Sequence, residues 1–161
     1  MVTVVTQPVQ GWVLLSYRMP REPSTPRIAV WRKLKDLGVV QIGDGLVALP
    51  HDARTKEHLE WVAARVLEAD GDAIVWIATP AGRRHSRALA REMNEARDSE
   101  YDELIDEIGA ANEAGPRSIA RWRRQWRKID RRDYFRAGRR DQARLAIAEL
   151  ADQPTTEEAS R

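Results

Sequence analysis

The chain has 161 residues, with no cysteine, three histidines and one phenylalanine. Without cysteine there is no disulfide framework, no thiolate metal site and no cysteine nucleophile, which fits a reducing compartment. His51, His58 and His85 lack zinc spacing with carboxylate partners, and His58 reads as an exposed or capping side chain. The sequence has no P-loop, no dinucleotide-binding glycine pattern and no nucleophile elbow. No long apolar run occurs either. Trp12-Val13-Leu14-Leu15 is too short for a signal peptide or a membrane span, and a basic stretch ahead of it is missing. A soluble cytoplasmic protein with no catalytic residues, metal or cofactor is therefore expected. What remains is 42% hydrophobic and 32% charged, a globular but highly charged composition. The length suits one domain with an appendage or two small units.

The first half carries strand, helix and turn signals in alternation. Residues 12–19 form an aromatic and aliphatic run ended by Pro20, which suits a buried strand. Ser24 or Thr25 can cap a helix whose first position suits Pro26. Ile28, Trp31, Leu34 and Leu37 recur at helical spacing, and Gly38 supplies the stop. Val39–Gly43 and Leu46–Leu49 flank Asp44-Gly45, which predicts a hairpin with a type I′ turn. Thr55 reads as an N-cap, and Leu59, Val62, Ala63, Val66 and Leu67 mark a second helix. Residues 73–77 form a last strand. The order β-α-β-β-α-β predicts an α+β, ferredoxin-like domain over residues 11–80, with four antiparallel strands and both helices on one face.

From Arg83 onward no strand pattern is present, and a charged helical extension is expected over residues 83–150, followed by a frayed tail at 151–161. Leu89, Met93, Ala96, Leu104 and Ile108 suggest one long helix, broken at Asn112–Pro116. Ile119, Trp122, Trp126 and Ile129 give a second apolar stripe, with both tryptophans read as core. Leu145, Ile147 and Leu150 suggest a short last helix. Charge is sorted into blocks. Residues 95–113 carry eight acids and one base, net −7, whereas 117–144 carry twelve bases and three acids, net +9. The formal total of +2 hides this separation.

Two readings of the basic segment compete. In one, the acidic and basic helices pair internally, and the arm serves as a structural, protein-interaction or oligomerisation module, joining two protomers as a homodimer. In the other, Arg121, Arg123, Arg124, Arg127, Lys128, Arg131 and Arg132 face outward and follow the phosphates of nucleic acid, DNA foremost. Arginine suits that role because its planar fork bonds phosphate oxygens in pairs.

The stretch from Leu15 to Ser24, then Arg27, Val30 to Leu34 and Leu37-Gly38, resembles the N-terminal domain of the chromate-resistance regulator ChrB. Leu49-Pro50, Thr55 and Trp61 continue the likeness, which covers roughly residues 11–150. The same region is similar, more distantly, to the C-terminal part of the phenylacetate repressor PaaX, a relative of the CRISPR-associated ferredoxin-like nucleases. The resemblance implies a ferredoxin-like unit with a helical extension in a bacterial transcription regulator linked to chromate. Full-length ChrB proteins carry a further C-terminal chromate-resistance domain. Those nucleases place a metal-binding Asp at the end of the first strand. Here Ser16-Tyr17-Arg18-Met19 offers no carboxylate, so metal-dependent cleavage is not expected.

Arg18, Arg21, Arg27 and Arg32 surround a strand end and a helix start. A base in a helix's first turn is unfavourable unless a negative group is near. Glu22 could be that group, or a bound tetrahedral oxyanion such as chromate or sulfate. The second case predicts an anion site that biases helix packing and so couples to nucleic-acid binding.

Overall fold

β1 (Trp12–Arg18) is the second strand in from one edge of a four-stranded antiparallel sheet. After it come α1 (Ser24–Leu37), β2 (Val40–Gly43), β3 (Leu46–Pro50), α2 (Ala53–Glu68) and β4 (Asp72–Ala78). The strand order is β2-β3-β1-β4, with β1 antiparallel to both β3 and β4. This is the split βαβ arrangement that the sequence order predicts. A computed structural model describes residues 11–111 and 114–152. Asn112 and Glu113 of the expected break, and the polar tail from Gln153, lie outside the described residues. By contact the chain divides into two compact units, up to Met93 and from Asn94 on.

In the first unit, strand alternation sends Val13 and Leu15 to one face, where both are fully buried, level with Leu49 and Val47 of β3. α2 lies on β1 and β4 and packs against α1. It buries Leu59, Val62, Ala63 and Val66, while Leu67 is exposed. α1 buries Val30, Leu34 and Leu37 instead of the stripe expected from Ile28 and Trp31, which are 43% and 53% exposed. At 3.6 residues per turn, positions 30, 34 and 37 share a line that 28 and 31 miss. The other face of the sheet buries Trp12 and Ala48, and Trp12 Nε1 donates to Ser86 Oγ at 3.1 Å.

The helix boundaries follow local chemistry, with three corrections. α1 starts at Ser24 with Pro23 at its N-cap and no capping side chain, so neither Ser24 nor Thr25 caps it. α2 is capped by Asp52, not Thr55. Asp52 accepts from Thr55 N at 2.7 Å, and Thr55 Oγ1 accepts from Asp52 N at 2.9 Å, a reciprocal capping box. In the hairpin only Gly45 has positive φ, at +67°, and β2 is irregular between Gln41 and Gly43. A type I′ turn needs positive φ at both central residues, so the turn is of another kind. Gly38 ends α1 in the left-handed conformation, as expected.

The second unit comprises the last part of α3 (Arg83–Gly109), α4 (Pro116–Asp130) and α5 (Arg140–Ala151). Tyr101, Leu104 and Ile108 of α3 form its core with Trp122 and Ile129 of α4 and with Ala143 and Ile147 of α5. Arg97, not Ala96, occupies the preceding turn of the buried stripe, because positions 97, 101, 104 and 108 keep the 4-3-4 spacing of one helix face. Asp133 organises the α4–α5 loop: it accepts from Tyr101 Oη at 3.2 Å and from Ala137 N at 2.9 Å. Burial pushes the Asp133 carboxyl above its ordinary range, and burial likewise raises the Tyr101 phenol.

Candidate functional site

α4 begins where Gly115 takes the N-cap and Pro116 the first helical position. A proline costs nothing there because the first-turn N–H groups have no intrahelical partner. Trp122 and Ile129 then fix the orientation of the helix by burial, and Trp126 packs against the same core. Trp122 Nε1 donates to Glu107 at 3.0 Å, and Trp126 Nε1 to the Arg140 carbonyl at 3.1 Å. With that face committed, Arg117, Arg121, Arg123, Arg124, Arg127, Lys128 and Arg131 are all exposed. At 3.6 residues per turn they occupy one arc of roughly 160°. The bases therefore do not ring the helix; they share one side.

Internal pairing takes two of the seven basic side chains singled out from the sequence. Arg121 bonds Glu107 at 2.6 Å. Arg132 is turned inward onto Glu100, whose other oxygen holds the buried Arg97 at 2.7 Å. Burial lowers the pKa of Arg97, partly offset by Glu100. Arg123, Arg124, Arg127, Lys128 and Arg131 form no ion pair among the described residues. Internal pairing thus accounts for part of the basic block, and the remaining bases of α4 are exposed. α3 neutralises the flank of α4 that faces it and leaves the outer face charged.

A cavity of about 320 Å³ lies between α4 and α5, lined by Arg123, Trp126, Arg127, Arg144, Ile147 and Ala148. Three arginines therefore border one cavity whose other lining residues are apolar or aromatic. Arg144 reaches Asp141 only at 4.0 Å. Arg117 and Arg144 were absent from the sequence-derived set, although both fall in the +9 block. Arg144 was missed because its place beside α4 depends on how α5 folds back, which charge counting does not reveal. Arg140, by contrast, is occupied, bonded to Asp130 at 2.6 Å and lying 4.9 Å from the Trp126 ring centroid.

In the first unit the four arginines expected to form one anion site do not line a single cleft, although the clefts of Arg18 and of Arg21 and Arg27 share Tyr17, Asp44 and Gly45. Tyr17 and Arg18 point to opposite faces of β1, as alternation requires. Arg18 lies level with Asp72 of β4 and lines a cleft with Asp44 and Asp72. Arg32 is exposed on α1 and lines none of the clefts described here. Arg21 and Arg27 do come together, in a cleft of about 590 Å³ with Tyr17, Met19, Ile28, Trp31, Asp44 and Gly45. Neither forms an ion pair, with Glu22 or any other acid, among the described residues, although Asp44 lines the same cleft. Gly45 closes one end. The Gly45 carbonyl accepts from Tyr17 N at 2.8 Å, and a Cβ on Gly45 would collide with the Tyr17 carbonyl. Burial raises the Tyr17 phenol pKa.

Among the described residues no group of three His, Cys, Asp or Glu side chains could hold a metal ion. No described helix is long and apolar enough to cross a membrane.

Comparison with known proteins fits this fold into a family. The model for "Protein ChrB, N-terminal" matches residues 27–114. The chain belongs to the ChrB N-terminal family. Protein ChrB of Cupriavidus metallidurans is similar to it, 30% identical over 107 residues, which cover 66% of this chain and 32% of that protein. The chain thus spans about a third of the length of this ChrB relative. No solved structure matches. Arg27 and Trp31 lie inside the residues matched to the ChrB family, whereas α4 and α5 lie beyond them.

Proposed function

We propose that this ChrB-type chain is a non-enzymatic regulatory protein of chromate resistance that holds duplex DNA by its phosphates through the outer face of α4. The observation that carries this reading is the single arc of seven bases on α4, of which only Arg121 is paired with a carboxylate. Like charges gathered on one face repel one another, and a polyanion relieves that repulsion while releasing its condensed counterions. Arg123, Arg127 and Arg144 offer a local anchor for one phosphate group. Contacts of this type position the protein without reading bases. In the first unit, Arg21 and Arg27 are the pair that meets an oxyanion of the chromate or sulfate type.

The test is fluorescence anisotropy with a labelled random-sequence duplex at low salt. The double variant Arg124→Glu/Lys128→Glu leaves the buried face of α4 intact and reverses two exposed charges. Wild-type binding weakened at least about tenfold by the variant supports the reading. Equal affinities, or no binding by the wild type, would leave α4 as a structural arm. For the oxyanion, sulfate should raise the melting temperature of the wild type and not of Arg27→Ala.

A further inference from the structure

The Arg21–Arg27 cleft holds more than a bare oxyanion needs. Chromate or sulfate is satisfied by guanidinium groups alone, yet most of this cleft's lining is apolar or aromatic. Trp31 is half exposed at its wall, although nothing in the first unit's core uses it. Lys35 Nζ sits over the Trp31 ring, 4.7 Å from the centroid, so one face of the indole is taken by a cation. Asp44 adds a carboxylate at the rim, which would repel a second oxyanion but accepts from hydroxyl or amino groups. Three recognition elements therefore line one cleft of about 590 Å³, a volume in the range of small-molecule sites.

From these residues we infer that the cleft binds a single nucleotide unit. Arg21 and Arg27 take the phosphate, Trp31 stacks the base on the ring face that Lys35 leaves, and Asp44 accepts from the sugar hydroxyl or a base amino group. This rests on the reading that Arg21 and Arg27 bind an anion, and it specifies what that anion carries. Stacking on an aromatic wall tolerates any base, so the site distinguishes nucleotide from inorganic ion more than base from base. A free mononucleotide and the terminal nucleotide of a single strand share this chemistry.

Isothermal titration calorimetry with AMP, ribose 5-phosphate, sulfate and a ten-residue thymidylate strand tests the inference. The protein is wild type, Arg27→Ala, Trp31→Ala or Arg124→Glu/Lys128→Glu. AMP should bind wild type at least about fivefold more tightly than ribose 5-phosphate, the advantage that stacking supplies. Trp31→Ala should abolish that advantage, Arg27→Ala should weaken both ligands, and the α4 variant should leave both unchanged. Capture of the strand with the same dependence on Trp31 identifies a strand end as a source; binding of AMP alone identifies the free nucleotide. If sulfate competes and Trp31→Ala binds AMP like wild type, the anion reading stands and the nucleotide inference falls. If neither sulfate nor AMP binds, both fall. If AMP binding is lost only in the α4 variant, the ligand sits on α4 and the inference is overturned.

Discussion

Glu100 is the carboxylate on which most depends at the scale of single residues. It holds Arg97 and Arg132 together, and the side chains of those arginines are only 11% and 15% exposed. Removing its charge leaves two buried guanidinium groups facing each other without their bridging carboxylate, with Asp133 the remaining acid near Arg97. Because Glu100 itself is partly solvated, the cost of Glu100→Gln should be roughly 2 kcal/mol, below that of breaking a fully buried pair. Urea denaturation followed by circular dichroism measures it, and an unchanged midpoint would show that solvent screens the triad. Asp133 gives a second prediction, in pH. Its carboxyl is raised by burial, so the folded state holds the proton more tightly than the unfolded chain does. Its contribution is therefore greatest below the ordinary aspartate pKa of about 3.9 and is lost as pH rises through the raised value. Melting curves should show wild type losing stability relative to Asp133→Asn as pH rises from about 4. A difference between the two that is constant with pH would contradict this.

At the scale of elements, the capping box of α2 is a local device with a local cost. Asp52→Ala should destabilise the protein by about 1 kcal/mol, read from the same urea titration. No loss would mean that Thr55, bonded also to the Pro50 carbonyl at 2.6 Å, holds the helix start alone. The strands and helices of the first unit were legible because each follows from nearby residues: the run ending at Pro20, the Gly38 stop, the Asp44-Gly45 hairpin. Errors arose where local pattern met tertiary choice. Trp31 fits an apolar stripe as well as Val30 does, and only the position of α2 decides between them. Arg97 took an interior position that hydrophobicity assigns to Ala96, because Glu100 and the helix spacing compensate its charge. The candidate sites were less legible. Charge counting located the basic helix, but not which bases are neutralised, since Arg121 and Arg132 differ from Arg124 only in what lies across from them. For the anion site, Arg18 lines a neighbouring cleft with Asp72 and not the cleft of Arg21 and Arg27, and Trp31 became informative only once it was exposed beside Arg27.

At the scale of the whole chain, the near-neutral total charge conceals two functions of charge. Within the second unit, acids of α3 answer part of the basic block: Glu107 with Arg121, Asp102 with Arg139 at 2.9 Å, and Glu100 with Arg132. Arg140 pairs with Asp130, and the bases along the outer face of α4 remain on the surface. ChrB family membership rests on residues 27–114, which include the cleft residues Arg27 and Trp31 but stop before α4. The proposed DNA-contacting face lies beyond the residues that the family model matches, so its test must be made on the charges of α4 itself. The most direct measurement is the salt dependence of binding to a random-sequence duplex. Each phosphate neutralised contributes about −0.9 to the slope of log Kobs against log salt, so contacts from the unpaired face of α4 should give about −4 to −6. The double variant Arg124→Glu/Lys128→Glu should flatten that slope by about 2. A wild-type slope near zero, or one that the variant leaves unchanged, would contradict the claim that α4 holds nucleic acid.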